Sequence, residues 1–107
     1  MSEAPPRLDV LGPDRYGLRG GLCRQHVAAL FDAGRGAVGS GARIEIDVAG
    51  VSRADSAGMA LLVEWLRVAR QAGGDIRYTG MSQAMLALLR VADLDDVLDV
   101  VPAPAAD

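Results

Sequence analysis

The sequence predicts an α/β domain, a sheet with helices packed on it. Two observations carry this. Short segments with period-two alternation take turns with segments whose apolar residues recur at helical spacing. Glycine- or proline-containing breaks separate them throughout. The order read from these signals is β-β-α-β-α-β-α-β, which argues for strands joined by helical connections.

Each element has its own signal. RLDVLG, 7–12, sets Leu8 and Val10 against polar neighbours. Gly12-Pro13-Asp14 reads as a turn, and RYGLRG, 15–20, as the second arm of a hairpin with Tyr16 and Leu18 on one face. Leu22 to Ala33 fits a first helix with a stripe of Leu22, Val27, Leu30 and Phe31. Gly34, Gly36, Gly39 and Gly41 are expected to end it and form a flexible loop.

RIEIDVAG, 43–50, is the clearest strand: Ile44, Ile46 and Val48 alternate with Glu45 and Asp47. A second helix is expected over 56–72, stopped by Gly73-Gly74, and DIRYTG, 75–80, as a strand. Ser82 is placed to cap a third helix, 83–92, which carries Met85, Leu86, Leu89 and Val91. DVLDVV, 96–101, reads as a last short strand. The expected organisation is a disordered start over 1–6, one domain over 7–101 and a loose tail over 102–107.

Composition narrows the function. Half of the 107 residues are apolar, which excludes disorder along the whole chain. Only Tyr16, Phe31, Trp65 and Tyr78 are aromatic, so aliphatic residues must build the core. The net charge is −3, and the basic residues are all arginines scattered along the chain, which does not favour nucleic acid as a partner. Cys23 is the single cysteine, so an internal disulfide is impossible. The first ten residues lack the apolar core of a signal peptide, and no apolar run reaches the ~20 residues of a membrane span. The expected location is cytoplasmic.

The other candidate chemistries are thin. His26 has no second metal ligand at usable spacing and reads as a surface histidine. Cys23, beside Arg24, reads as a small helix residue rather than a nucleophile. Asp93, Asp95, Asp96 and Asp99 lack the glycine and terminal glutamate of a calcium loop. GRGAVGSG, 34–41, lacks the lysine of a phosphate loop and opens no helix. No cofactor, metal or catalytic residue is expected.

The informative stretch is RADSAGMALL, 53–62, where a polar loop enters an apolar helix. Asp55 or Ser56 can cap the helix, which explains the polar pair by itself. The same helix end attracts anions, and Ser56, Ala57 and Gly58 are small enough for another molecule to approach. A phosphate on a hydroxyl there would repel an acidic or apolar partner. Further along, Met59, Val63 and Leu66 form a second apolar stripe, which either the sheet and a neighbouring helix cover or which leaves an exposed edge to meet a partner.

RIEIDVAG, a short polar link, DSAGMALL, a long helix, GGDIRYTG and an amphipathic helix together resemble the STAS domain. The resemblance covers residues 7–101 and implies a mixed sheet with helices mainly on one face. It also implies a non-catalytic domain that binds protein partners. The family includes anti-sigma-factor antagonists, domains of anion transporters, and a small subunit of the Mla-type phospholipid-transport ABC system. In the antagonist branch the phosphorylated Ser or Thr directly precedes the motif glycine, where this chain has Ala57. The pattern D-S-A-G-x-A-L-L is more similar to the Mla-type subunit.

That similarity implies an accessory subunit. It would bind the ATPase subunit of an ABC complex that maintains outer-membrane lipid asymmetry. It would reach the inner membrane only through that complex. The implied contacts are Phe31, Asp55, Ser56, Ala57 and Gly58, with Met59 added from the apolar edge. Ser56 is the hydroxyl open to phosphorylation. Two alternatives are an anti-sigma-factor antagonist, opposed by Ala57, and a small enzyme or nucleotide-binding domain, opposed by the lack of a catalytic constellation.

Overall fold

A computed structural model of the chain describes residues 5–104. Expectations for residues 1–4 and 105–107 lie outside the described residues. Five strands form one sheet in the order β1-β2-β3-β4-β5, with β1 (Arg7–Gly12), β2 (Arg15–Leu22), β3 (Arg43–Ala54), β4 (Asp75–Met81) and β5 (Asp99–Pro102). β1 is antiparallel to β2, and the remaining pairs are parallel. Helices α1 (Val27–Val38), α2 (Ser56–Gln71) and α3 (Gln83–Val91) connect the parallel strands. Parallel crossovers are right-handed. Because β2 to β5 advance steadily in one direction, all three helices then fall on one face.

Strand alternation sorts residues between that face and the open one. Ile44, Ile46 and Val48 of β3 and Ile76 and Tyr78 of β4 are buried under the helices. α2 lies between α1 and α3 and buries Leu61, Leu62, Trp65, Leu66 and Ala69. The Tyr78 hydroxyl donates to the Leu62 carbonyl at 2.7 Å, which gives the buried phenol a partner and ties α2 to the sheet. On the open face Arg15, Glu45, Arg77 and Asp99 stand side by side on four successive strands, alternating in sign. Such cross-strand pairs suit a solvated face.

Several boundaries differ from the sequence reading. Leu22 belongs to β2, not to the first helix; a 3₁₀ turn (Arg24–His26) precedes α1, and Cys23 is a buried residue ahead of that turn. α1 does not stop at Ala33 but continues through Gly34 and Gly36 to Val38. Its reason is α2: a Cβ on Gly34 would lie 2.6 Å from Trp65 Cζ2, so glycine lets the indole lie against the helix. Strand β3 runs past Gly50 to Ala54, because β2 carries its own glycines there and register shifts keep the two paired. The last strand begins at Asp99 rather than 96, since the chain first turns, with Val97 N–H donating to the Leu94 carbonyl at 3.0 Å. At its end, Pro102 stands opposite Met81, and Ala103 N–H donates to the Met81 carbonyl at 2.9 Å. The chain therefore stays attached past 101.

Candidate functional site

The Asp55–Gly58 junction sits at the carboxyl end of β3, where ligands of open parallel sheets commonly bind. Asp55 takes an extended conformation, φ −122° and ψ 178°, just before α2. One carboxylate oxygen accepts from Gly58 N–H at 2.9 Å. The other accepts from Arg24 N–H, also at 2.9 Å. Asp55 thus caps α2 and holds the turn that starts the α1 segment. These backbone donors, Arg24 first and then Gly58, keep its pKa below the ordinary 3.8 despite an opposing push from burial.

Gly58 is equally committed to the scaffold. A Cβ there would meet the Leu22 carbonyl oxygen at 1.9 Å, so the first turn of α2 can cross the end of β2 only with glycine. Asp55 N–H also donates to that Leu22 oxygen, at 3.2 Å. Two residues of the D-S-A-G motif therefore join β2, the α1 segment and α2.

The other two residues face outward. Ser56 is exposed, and its hydroxyl has no hydrogen-bond partner among the described residues. Ser56, Ala57, Asp55 and Arg24 line one small concavity. Ala57 also lines a mostly apolar groove of about 470 Å³ between α1 and α2, with Val27, Ala28, Phe31, Ala60, Leu61 and, at its edge, Glu64. A polar helix end and an apolar groove therefore meet at Ala57. Phe31 is half-buried in the groove wall, with the Arg35 guanidinium 5.3 Å from its ring centroid.

Met59 does not join this surface. It is 1% exposed, and Leu66 is buried with it, so the covered alternative holds for this stripe and Met59 is not an exposed contact. Those side chains turn under α2 onto the sheet and α3 side; Val63 alone stays half-exposed, in a different groove with Val97. The lining residues that the sequence reading did not single out for this site are Arg24, Val27, Ala28, Ala60, Leu61 and Glu64. Spacing of three and four on each helix was the available signal, but not which two helix faces would meet. Elsewhere, among the described residues, no group of three His, Cys, Asp or Glu side chains is placed to hold a metal ion, the C-terminal aspartates included. Among the described residues no helix is long and apolar enough to cross a membrane.

A mixed sheet covered by helices on one face, with a D-S-A-G helix start at its carboxyl end, defines a STAS-type domain. The chain belongs to the STAS family: residues 14–102 match the family model described as "Mlab, STAS domain". No curated protein matches it. Among solved structures it is similar to an anti-sigma-factor antagonist (STAS) domain protein from Planctomyces limnophilus, with 16% identity, a TM-score of 0.71, and 94% of this chain and 92% of that one covered. A putative anti-sigma factor antagonist from Thermotoga maritima matches with 14% identity, a TM-score of 0.71, and 90% and 85% of the two chains covered. At these identities the likeness establishes the fold. Domains of this family are generally non-catalytic modules for protein interaction.

Proposed function

We propose that this chain is a non-catalytic accessory subunit of a bacterial phospholipid-transport ABC complex. It docks on the ATPase subunit and supports that subunit's assembly or activity in outer-membrane lipid asymmetry. The observation that carries this reading is the junction at Ala57, where the exposed Ser56 helix end runs into the apolar α1/α2 groove. A groove with a half-exposed aromatic suits a protein surface better than a small polar substrate. The family description points to the Mla branch, and Ala57 lacks the hydroxyl of the antagonist phosphoswitch. Nucleotide hydrolysis belongs to the partner. The chain remains cytoplasmic and meets the inner membrane only through the complex.

The test is affinity capture from native cytoplasm and solubilised membranes, with wild type, Ser56→Glu and Phe31→Ala compared. Wild type is expected to retain an ABC ATPase and its permease. Ser56→Glu places a charge in a close-packed contact and reduces recovery at least tenfold. Phe31→Ala removes an aromatic anchor of the groove and weakens binding by about 1–2 kcal/mol, roughly 5- to 30-fold. Equal recovery with all three proteins would remove Ser56 and Phe31 from the interface.

A second reading, an anti-sigma-factor antagonist, is favoured by the descriptions of the similar solved structures. Capture of an anti-sigma kinase that phosphorylates Ser56 stoichiometrically would establish it in place of the first.

A further inference from the structure

β1 is an edge strand. Among the described residues it pairs only with β2, which leaves its outer backbone N–H and C=O groups without a strand partner there. It also carries two strongly exposed apolar residues, Val10 at 74% and Leu11 at 52%. We propose that β1 pairs antiparallel with β1 of a second copy of this chain, joining two sheets across a two-fold axis.

The sequence of β1 selects the register. Leu8 stands opposite Leu18 and Val10 opposite Tyr16, so both lie on the helix-covered face. Arg7 stands opposite Arg19 and Asp9 opposite Gly17, which places them on the open face. A two-fold axis perpendicular to the sheet keeps each residue on its own face. The pairing must therefore be centred on one residue and its copy.

Centring on Asp9 sets two carboxylates against each other, which is unfavourable. Centring on Val10 sets Asp9 against Leu11 and carries the pairing into the register irregularity between Val10 and Gly12. Centring on Leu8 is self-complementary. Leu8 meets Leu8, Val10 meets Pro6, and each Arg7 meets the Asp9 of the other copy.

The geometry also limits the assembly to two. Pro6 offers no N–H, so pairing stops there at one end, and the irregularity after Val10 stops it at the other. Both copies use the same strand, so the contact closes on itself. Asp9 already lies 3.1 Å from Arg7 and 3.6 Å from Arg19 within one chain. The second copy adds another guanidinium to each carboxylate. So short an edge buries less than the ~1,200 Å² of a standard stable interface, and the dimer is expected to be weak, with Kd on the order of 10–100 μM. This contact is independent of the groove at Ala57.

Sedimentation velocity from about 10 μM to 1 mM tests it, at concentrations that bracket the expected Kd. Wild type is expected to pass from monomer to dimer. Arg7→Asp sets Asp against Asp9, and Asp9→Arg sets Arg against Arg7, so each variant alone should lose at least tenfold in dimer affinity. An equal mixture of the two restores opposite charges at both contacts and should dimerise as the wild type does. Circular dichroism checks that each variant is folded. Should either fail to fold, an equal mixture of Pro6→Cys and Val10→Cys gives the independent readout, a disulfide-linked heterodimer under mild oxidation that neither variant forms alone. A wild type that stays monomeric to 1 mM overturns the proposal. So does a dimer that the charge reversals leave unchanged, or a mixture that fails to recover.

Discussion

Asp55 shows how one side chain can serve the scaffold beside a proposed binding surface. Both of its oxygens accept backbone N–H groups, from Arg24 and from Gly58. Asp55→Ala leaves both donors without this partner and should cost about 2 kcal/mol at pH 7, read from urea midpoints. The pH dependence has a definite sign. The folded pKa lies below the ordinary 3.8, so the stabilisation is present above that value and is lost as pH falls through the lower folded value. The gap between wild type and Asp55→Ala should therefore narrow below pH 3.8. A gap unchanged from pH 7 into that range would show that the charge contributes nothing. Ser56 and Ala57 carry no such duty, which is why substitutions there are expected to act on binding.

At the scale of the element, α1 shows local preference yielding to packing. Each glycine inside a helix costs about 1 kcal/mol relative to alanine, and Gly34 and Gly36 both lie within α1. Only Gly34 has a compensating contact. Gly34→Ala should destabilise by about 1–3 kcal/mol, because the new methyl group overlaps an indole that is itself fully buried. Gly36 has nothing within 4 Å of its would-be Cβ, so Gly36→Ala should stabilise by about 0.5–1 kcal/mol. Thermal midpoints that move in opposite directions would confirm this division. Stabilisation by both would show that the helices can part without cost. The same contact sets how closely α1 approaches α2, and so shapes the groove at Phe31 and Ala57.

The described residues share one hydrophobic core, and Trp65, the single tryptophan, belongs to it with 0% exposure. A domain built on one core should unfold in a single cooperative step. Trp65 fluorescence and far-ultraviolet circular dichroism should then give the same urea midpoint. Separated midpoints would mean that the helical layer loosens before the sheet. The open face needs no cover, since the row of Arg15, Glu45, Arg77 and Asp99 is charged and alternates in sign; Arg77 lies 3.2 Å from Asp99.

Much of this was readable along the chain. Alternation over 43–48 places Ile44, Ile46 and Val48 inside. Ser82 accepts from Met85 N–H at 3.1 Å, as its position before the third helix implies. Element order and the D-S-A-G helix start were equally legible. These features depend on neighbours two to four residues away, which the sequence lists directly. Tertiary structure alone decided that Leu22 finishes a strand, that α1 survives two glycines, and that Met59 turns inward. It also decided which residues of the motif hold the fold and which face out. Each of those outcomes rests on a contact between distant segments: Leu22 with Gly58, Gly34 with Trp65, Arg24 with Asp55. Chain order does not reveal such pairs, because burial and close packing choose them only when the helices settle on the sheet.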